Sequence, residues 1–186
     1  MNAVFRRLAP ILGVATLCFP FASATLIPRV SFEELVDSSD LVVSGQITRT
    51  WAAWDTTHKH IWTHYELSVT SAQKGAPGRN VEFAEPGGSL DGVVMNVAGS
   101  VTYAVGDHVA VFLERMPNGY LRTTGWSQGK YRVDSAGHLR AESLLRQDAA
   151  TTGTVAGASV RSLDGVTVDE FSQRVRQRIS QQRRAQ

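Results

Sequence analysis

The chain of 186 residues holds one cysteine, Cys18, so no disulfide can form within it. Cys18 also falls inside a stretch expected to be removed, which would leave no thiol nucleophile and no cysteine metal ligand. A large excess of one charge is missing too. Lysine and arginine number 19 against 17 acids, and no basic stripe of the kind that tracks a phosphate backbone stands out, which argues against a nucleic-acid partner. Long apolar runs are absent: Leu8–Phe21 is interrupted by Pro10 and Pro20 and falls short of the ~20 residues a membrane-spanning helix needs. No H-E-x-x-H ligand pair occurs.

The first 24 residues have the layout of a secretory signal. Arg6-Arg7 supply the positive start, Leu8–Phe21 the apolar stretch and Ala22-Ser23-Ala24 the small-residue cleavage site. The expected mature chain begins at Thr25, is exported to the periplasm or the extracellular space, and keeps no transmembrane segment. Cleavage removes two of the 19 basic residues and none of the 17 acids, which leaves equal numbers. Without disulfides an exported chain must be held by its core, and about 160 residues suffice for one domain.

The alternation of side chains predicts strands through most of the chain between Leu41 and Leu144. Leu41–Ile47 reads as a strand continuing towards Trp51, with a bulge or bend at Gly45. His58–Gly75 reads as one long strand after a break at Asp55-Thr56-Thr57. It places Ile61, Tyr65, Leu67 and Val69 on one face and His58, His60, Trp62, His64 and Glu66 on the other. Val81–Phe83, Val93–Val97, Tyr120–Thr124, Gln128–Val133 and His138–Leu144 are shorter candidates. Val109–Leu113 is apolar at every position, the pattern of a strand covered on both faces. Ser31-Phe32-Glu33-Glu34 and Thr167-Val168-Asp169-Glu170 both match a capping box. The first opens about two helical turns. The second opens a longer helix with Val168, Phe171, Val175 and Ile179 on one stripe, expected to fray after about Gln181. Five arginines and no acid follow Glu170; they read as a solvated helix face and tail.

The fold expected is mainly β: a small OB-like barrel or rolled sheet with a short N-terminal helix and a longer C-terminal amphipathic helix. Its organisation is a signal over 1–24, the β domain over 25–145, a flexible Thr/Gly/Ala-rich connector over 146–166 and the helix with its basic tail over 167–186.

Three segments together carry a resemblance. They are Asp40–Ile47 with its three apolars and Gly45, Thr63 through Lys74-Gly75, and Gly106-Asp107 leading into His108–Leu113 with Gln128-Gly129-Lys130-Tyr131 after it. The set resembles exported bacterial proteins with an OB-like barrel, and is similar in layout to the module of netrins and tissue inhibitors of metalloproteinases. It spans about Phe32 to Val133, and its motifs are structural, so it implies a fold rather than an activity. Those inhibitors ligate zinc through an N-terminal cysteine. Thr25 would stand there in this chain, so that mechanism carries over to no residue.

The candidate chemistry concentrates on the first hairpin. Same-face strand neighbours lie ~6.6 Å apart, so His58 and His60 could share a zinc or copper ion, while His64 is some 13 Å further along. An exposed histidine-rich strand is the competing reading. Trp51, Trp54 and Trp62, with His64 and Glu66, form the expected interaction surface, against the competing reading of cross-strand core pairs. Gly87–Gly92 is expected to be a flexible loop, since Ser89 there lacks the glycine spacing of a serine elbow. Asp107-His108 and His138 offer only an incidental triad. The expectation is therefore an exported, non-enzymatic binding module. Its partner is a protein or glycan of the cell envelope and no cofactor is required; metal binding at His58 and His60 is the alternative and a hydrolase a distant third.

Overall fold

The computed structural model describes residues 29–141 and 163–185. The segments expected to be the signal (1–24), the mature start at Thr25 and most of the connector (146–162) lie outside them. Helix α1 (Phe32–Ser38) begins with both halves of the capping box: Glu34 N–H donates to Ser31 Oγ, and the Glu34 carboxylate accepts from Ser31 N–H at 2.8 Å. Strands β1 (Leu41–Trp54), β2 (Ile61–Lys74) and β3 (Asn80–Pro86) come next, then a small separate hairpin of β4 (Gly88–Leu90) and β5 (Val93–Met95). Strands β6 (His108–Arg115), β7 (Leu121–Thr123), β8 (Lys130–Val133), after a 3-10 turn at Trp126–Gly129, and β9 (Leu139–Ala141) complete the sheet. Helix α2 (Val168–Ala185) closes the chain and runs past Gln181, where the sequence predicts fraying.

Seven strands form one antiparallel sheet in the order β3-β2-β1-β6-β8-β9, with β7 also on β6. The sheet is not closed into a barrel. It curls until β7 lies near β3, but no ladder joins them. The inward carboxylate of Glu85 takes the place of a strand carbonyl there, accepting from Thr123 N–H at 2.8 Å, and Pro86 ends β3 without a backbone donor.

Two cores use the two faces of β1 and β6. Val43, Ile47, Tyr65, Leu67, Phe83, Val109, Val111 and Leu113 fill the inside of the curl. Val42, Ala110, Phe112 and Tyr131 face outward under α1 and α2, where Leu35, Val36, Phe171 and Val175 are buried. The all-apolar run at 109–113 is thus covered on both sides, as its pattern predicts. Phe112 meets Phe171 edge-on at 5.7 Å and Phe32 at 6.3 Å.

The residues behind the resemblance hold structure together. An added Cβ at Gly45 would sit 2.1 Å from Ser68 O, so β2's backbone passes where a side chain would be, and the β1–β2 register shifts beside it. Lys74 Nζ donates to the carbonyls of Val36 and Asp37 at 2.6 and 3.2 Å and caps the end of α1. Gly75, at φ +79°, turns the chain against Leu41 and Asp40. Asp107 accepts from Ala104 N–H, and its own carbonyl accepts from Ile47 N–H. Lys130 is 2 % exposed, donates to Thr102 O at 2.5 Å and lies 4.5 Å from the Tyr103 ring.

Two expectations change. The described end of the connector is packed rather than loose: Leu163 and Val166 are buried in the outer core, and Leu139 N–H donates to Val166 O. Gly87–Gly92 is also built, as β4 and a turn at Asp91-Gly92 with φ +52° and +77°. That pair of angles suits a two-residue hairpin loop.

Candidate functional site

The helices cover the outer face only at the Leu41–Ser44 end of β1. Further along the hairpin that face belongs to side chains alone. A register shift after Ile47 pairs Arg49 with Glu66, Trp51 with His64 and Ala53 with Trp62, so Arg49, Trp51, Trp62, His64 and Glu66 share it. Trp51 stacks on His64 at 5.2 Å and 13°, and the Arg49 guanidinium lies 4.2 Å over Trp51. Glu66 takes a hydrogen bond from Thr48 Oγ1 at 3.0 Å and pairs with Arg49 at 3.5 Å.

Tyr120 completes the group from the turn between β6 and β7. It meets Trp62 edge-on at 5.3 Å and His64 at 5.2 Å. It thereby bridges the open seam between β3 and β7 on the outside, as Glu85 does on the inside. His64 is only 6 % exposed beneath these rings. Its Nδ1 lies 3.0 Å from Glu82 Oε1 of β3, and its Nε2 is buried without a partner. Trp51, Trp62 and Tyr120 stay half-buried, with rings fixed by their neighbours and one side of the group open. Such a surface can stack flat groups and hydrogen-bond through Arg49, Glu66 and Glu82.

The other sequence-predicted residues sit elsewhere. Trp54 pairs with Ile61 on the opposite face of the hairpin, where its Nε1 donates to Asp91 Oδ2 at 3.2 Å. His58 and His60 lie in the hairpin loop, because β2 begins at Ile61. The same-face spacing that pairs them on a strand therefore does not apply. Asp55 organises that loop, accepting from Lys59 N–H at 2.9 Å and Thr57 N–H at 3.2 Å, with His60 Nδ1 at 3.0 Å. Desolvation raises the Asp55 carboxyl, but these hydrogen bonds together outweigh it and hold the group well below the usual carboxylate range. Among the described residues, no three or more histidine, cysteine, aspartate or glutamate side chains gather where they could hold a metal ion. Asp107 contacts Arg132 at 3.7 Å, and His138 contacts Asp134 at 3.5 Å.

Three features escape the sequence reading. Tyr120 stands 56 positions from His64, and nothing local announces that they meet. Glu85 continues the inward alternation Val81, Phe83, Glu85, a signal legible once the strand is extended by two residues. Gly125-Trp126-Ser127-Gln128-Gly129 has the spacing of a serine elbow. Here, however, it forms a single 3-10 turn between strands, with Ser127 buried and no histidine hydrogen-bonded to it among the described residues. Comparison with protein-family models, with curated proteins and with solved structures finds no match to the chain.

Proposed function

We propose that the chain is an exported binding module, without catalysis of its own, that engages a protein or glycan of the cell envelope through the outer face of the β1–β2 hairpin. The observation that carries this reading is the row Trp51, His64, Tyr120 and Trp62, flanked by Arg49 and Glu66. Rings held in place before binding lose little freedom on contact, and tryptophan, tyrosine and arginine are the residues that dominate recognition surfaces. An OB-like arrangement supports the same choice of face. β1 pairs with both β2 and β6 and β3 approaches β7, and partly open OB-type barrels, which this curled but unclosed sheet is similar to in layout, bind through a sheet face and adjoining loops.

The test is retention of envelope components. The chain is immobilised beside its Trp62→Ala and Arg49→Glu variants, and solubilised periplasmic and outer-membrane fractions are passed over all three. One component held by the parent and at least tenfold less by both variants, with unchanged circular dichroism, is the expected result. Equal retention by the variants, or none by the parent, rejects the assignment of this face.

A further inference from the structure

Inside the curl, at the end of β3, the fold leaves a cavity of about 300 Å³, near the lower bound for small-molecule sites. Thr63 and Tyr65 of β2, Glu85 of β3 and the loop through Val97 and Val101 form its walls. Its backbone wall is tight: an added Cβ at Gly88 would lie 2.4 Å from Thr63 Oγ1, and one at Gly87 2.8 Å from Met95 O.

Glu85 is 1 % exposed. Its Oε1 is taken by Thr123 N–H, while its Oε2 is buried with no hydrogen-bond partner. Four buried side-chain atoms among the described residues lack a partner, and only this one belongs to a residue lining the cavity. Two of the hydroxyls lining the cavity are already committed elsewhere. Ser100 Oγ donates to Pro86 O at 2.6 Å, and Thr63 Oγ1 donates to Gly87 O at 2.8 Å. No lysine, arginine or histidine lines the cavity. Desolvation pushes the Glu85 carboxyl up to about 7, against hydrogen bonds from Thr123 and the charge of Arg122. An anion entering here would meet a like charge. A group bringing both an N–H and a positive charge would supply the missing partner and offset the burial of the carboxylate.

We propose that this cavity binds a small organic cation, whose ammonium or guanidinium group donates to Glu85 Oε2 as the carboxyl turns that oxygen into the cavity, while its carbon skeleton lies against Val97 and Val101. This is a second site, separate from the hairpin face and on the other side of the same strands.

Benzylammonium, cadaverine and agmatine are the probes, with benzyl alcohol as the uncharged counterpart of the first. Each is titrated into the ¹⁵N-labelled chain at pH 8, where Glu85 is ionised. At least one cation should give saturable shifts at the amides of Gly87, Gly88 and Thr102. Benzyl alcohol should bind at least tenfold more weakly than benzylammonium. Glu85→Gln, which keeps an acceptor for Thr123, should weaken the cation at least tenfold. Val97→Trp, which adds bulk to the cavity's loop wall and leaves Glu85 in place, should abolish the shifts without lowering Tm. Equal binding of alcohol and ammonium, unchanged affinity in Glu85→Gln, or no saturable shift with any of the three cations overturns the proposal.

Discussion

Thr123 N–H satisfies one oxygen of Glu85 and nothing satisfies the other, so the folded chain keeps a proton on this carboxyl where the unfolded chain does not. Desolvation is the largest cause of its rise from an ordinary 4.5 to about 7. Thr123's hydrogen bonds and the Arg122 charge from β7 oppose it, and Glu114 of β6 adds to it. Tyr65, facing it from β2, is itself pushed up by burial. Below pH 4.5 the group is protonated in both states and its charge costs nothing. Between 4.5 and 7 only the unfolded chain releases the proton, so stability falls as pH rises, and above 7 the loss is complete at about 3 kcal/mol. Urea denaturation at pH 5 and pH 8 should show this fall in the parent and a flatter profile in Glu85→Gln. A parent profile no steeper than the variant's means that Glu85 is not buried as an unpartnered acid.

Helix α2 is held by two kinds of contact of very different worth. Phe171 is fully buried against Phe112. Arg178 pairs with both oxygens of Asp37 on α1, and Gln182 donates to the same carboxylate at 2.6 Å. The Arg178 hydrogen bond holds the Asp37 carboxyl below its usual range, yet both partners are about a third exposed. Exposed pairs are worth under about 1 kcal/mol, whereas truncating a buried phenylalanine costs about 3–5 kcal/mol. Urea midpoints should therefore drop far more for Phe171→Ala than for Arg178→Ala; the reverse order would make the ion pair the anchor. The stripe behind this argument was legible in the sequence because helical spacing and a capping box are local signals. So were β1, β2, β6 and the bulge at Gly45. What stayed hidden depended on pairing between distant segments. The register shift after Ile47 puts Arg49 and Trp51 on the outer face, where unbroken alternation from the inward Ile47 would point them inside, and no residue near Thr48 encodes it alone. The β4–β5 hairpin was marked by Asp91-Gly92, but in a glycine-rich stretch that also reads as a loop. His58 and His60 alternate like strand residues, yet Asp55 captures their backbone into a turn.

At the scale of the molecule, β1 and β6 contribute alternate residues to both cores. Val43 and Val111 point into the curl, and Val42 and Phe112 point under the helices. Neither core can loosen without moving strands that complete the other, so a single cooperative transition is expected. The two cores carry separate reporters. Tyr65, Phe83 and Tyr103 cluster inside, with centroids 5.0 to 5.4 Å apart, and Tyr131 lies outside against Phe112. Phe83→Ala should strike the first core and Phe171→Ala the second, each by about 3–5 kcal/mol. In both variants thermal unfolding followed by near-ultraviolet circular dichroism should coincide with unfolding followed by far-ultraviolet circular dichroism. The open seam sets the alternative. If the Glu85–Thr123 and Tyr120 contacts were all that kept β3 beside β7, Phe83→Ala would release β3 first, and tertiary signal would be lost at a lower temperature than strand content. Coincident curves in Phe171→Ala but split curves in Phe83→Ala would locate the weak boundary at the seam and reject one cooperative unit.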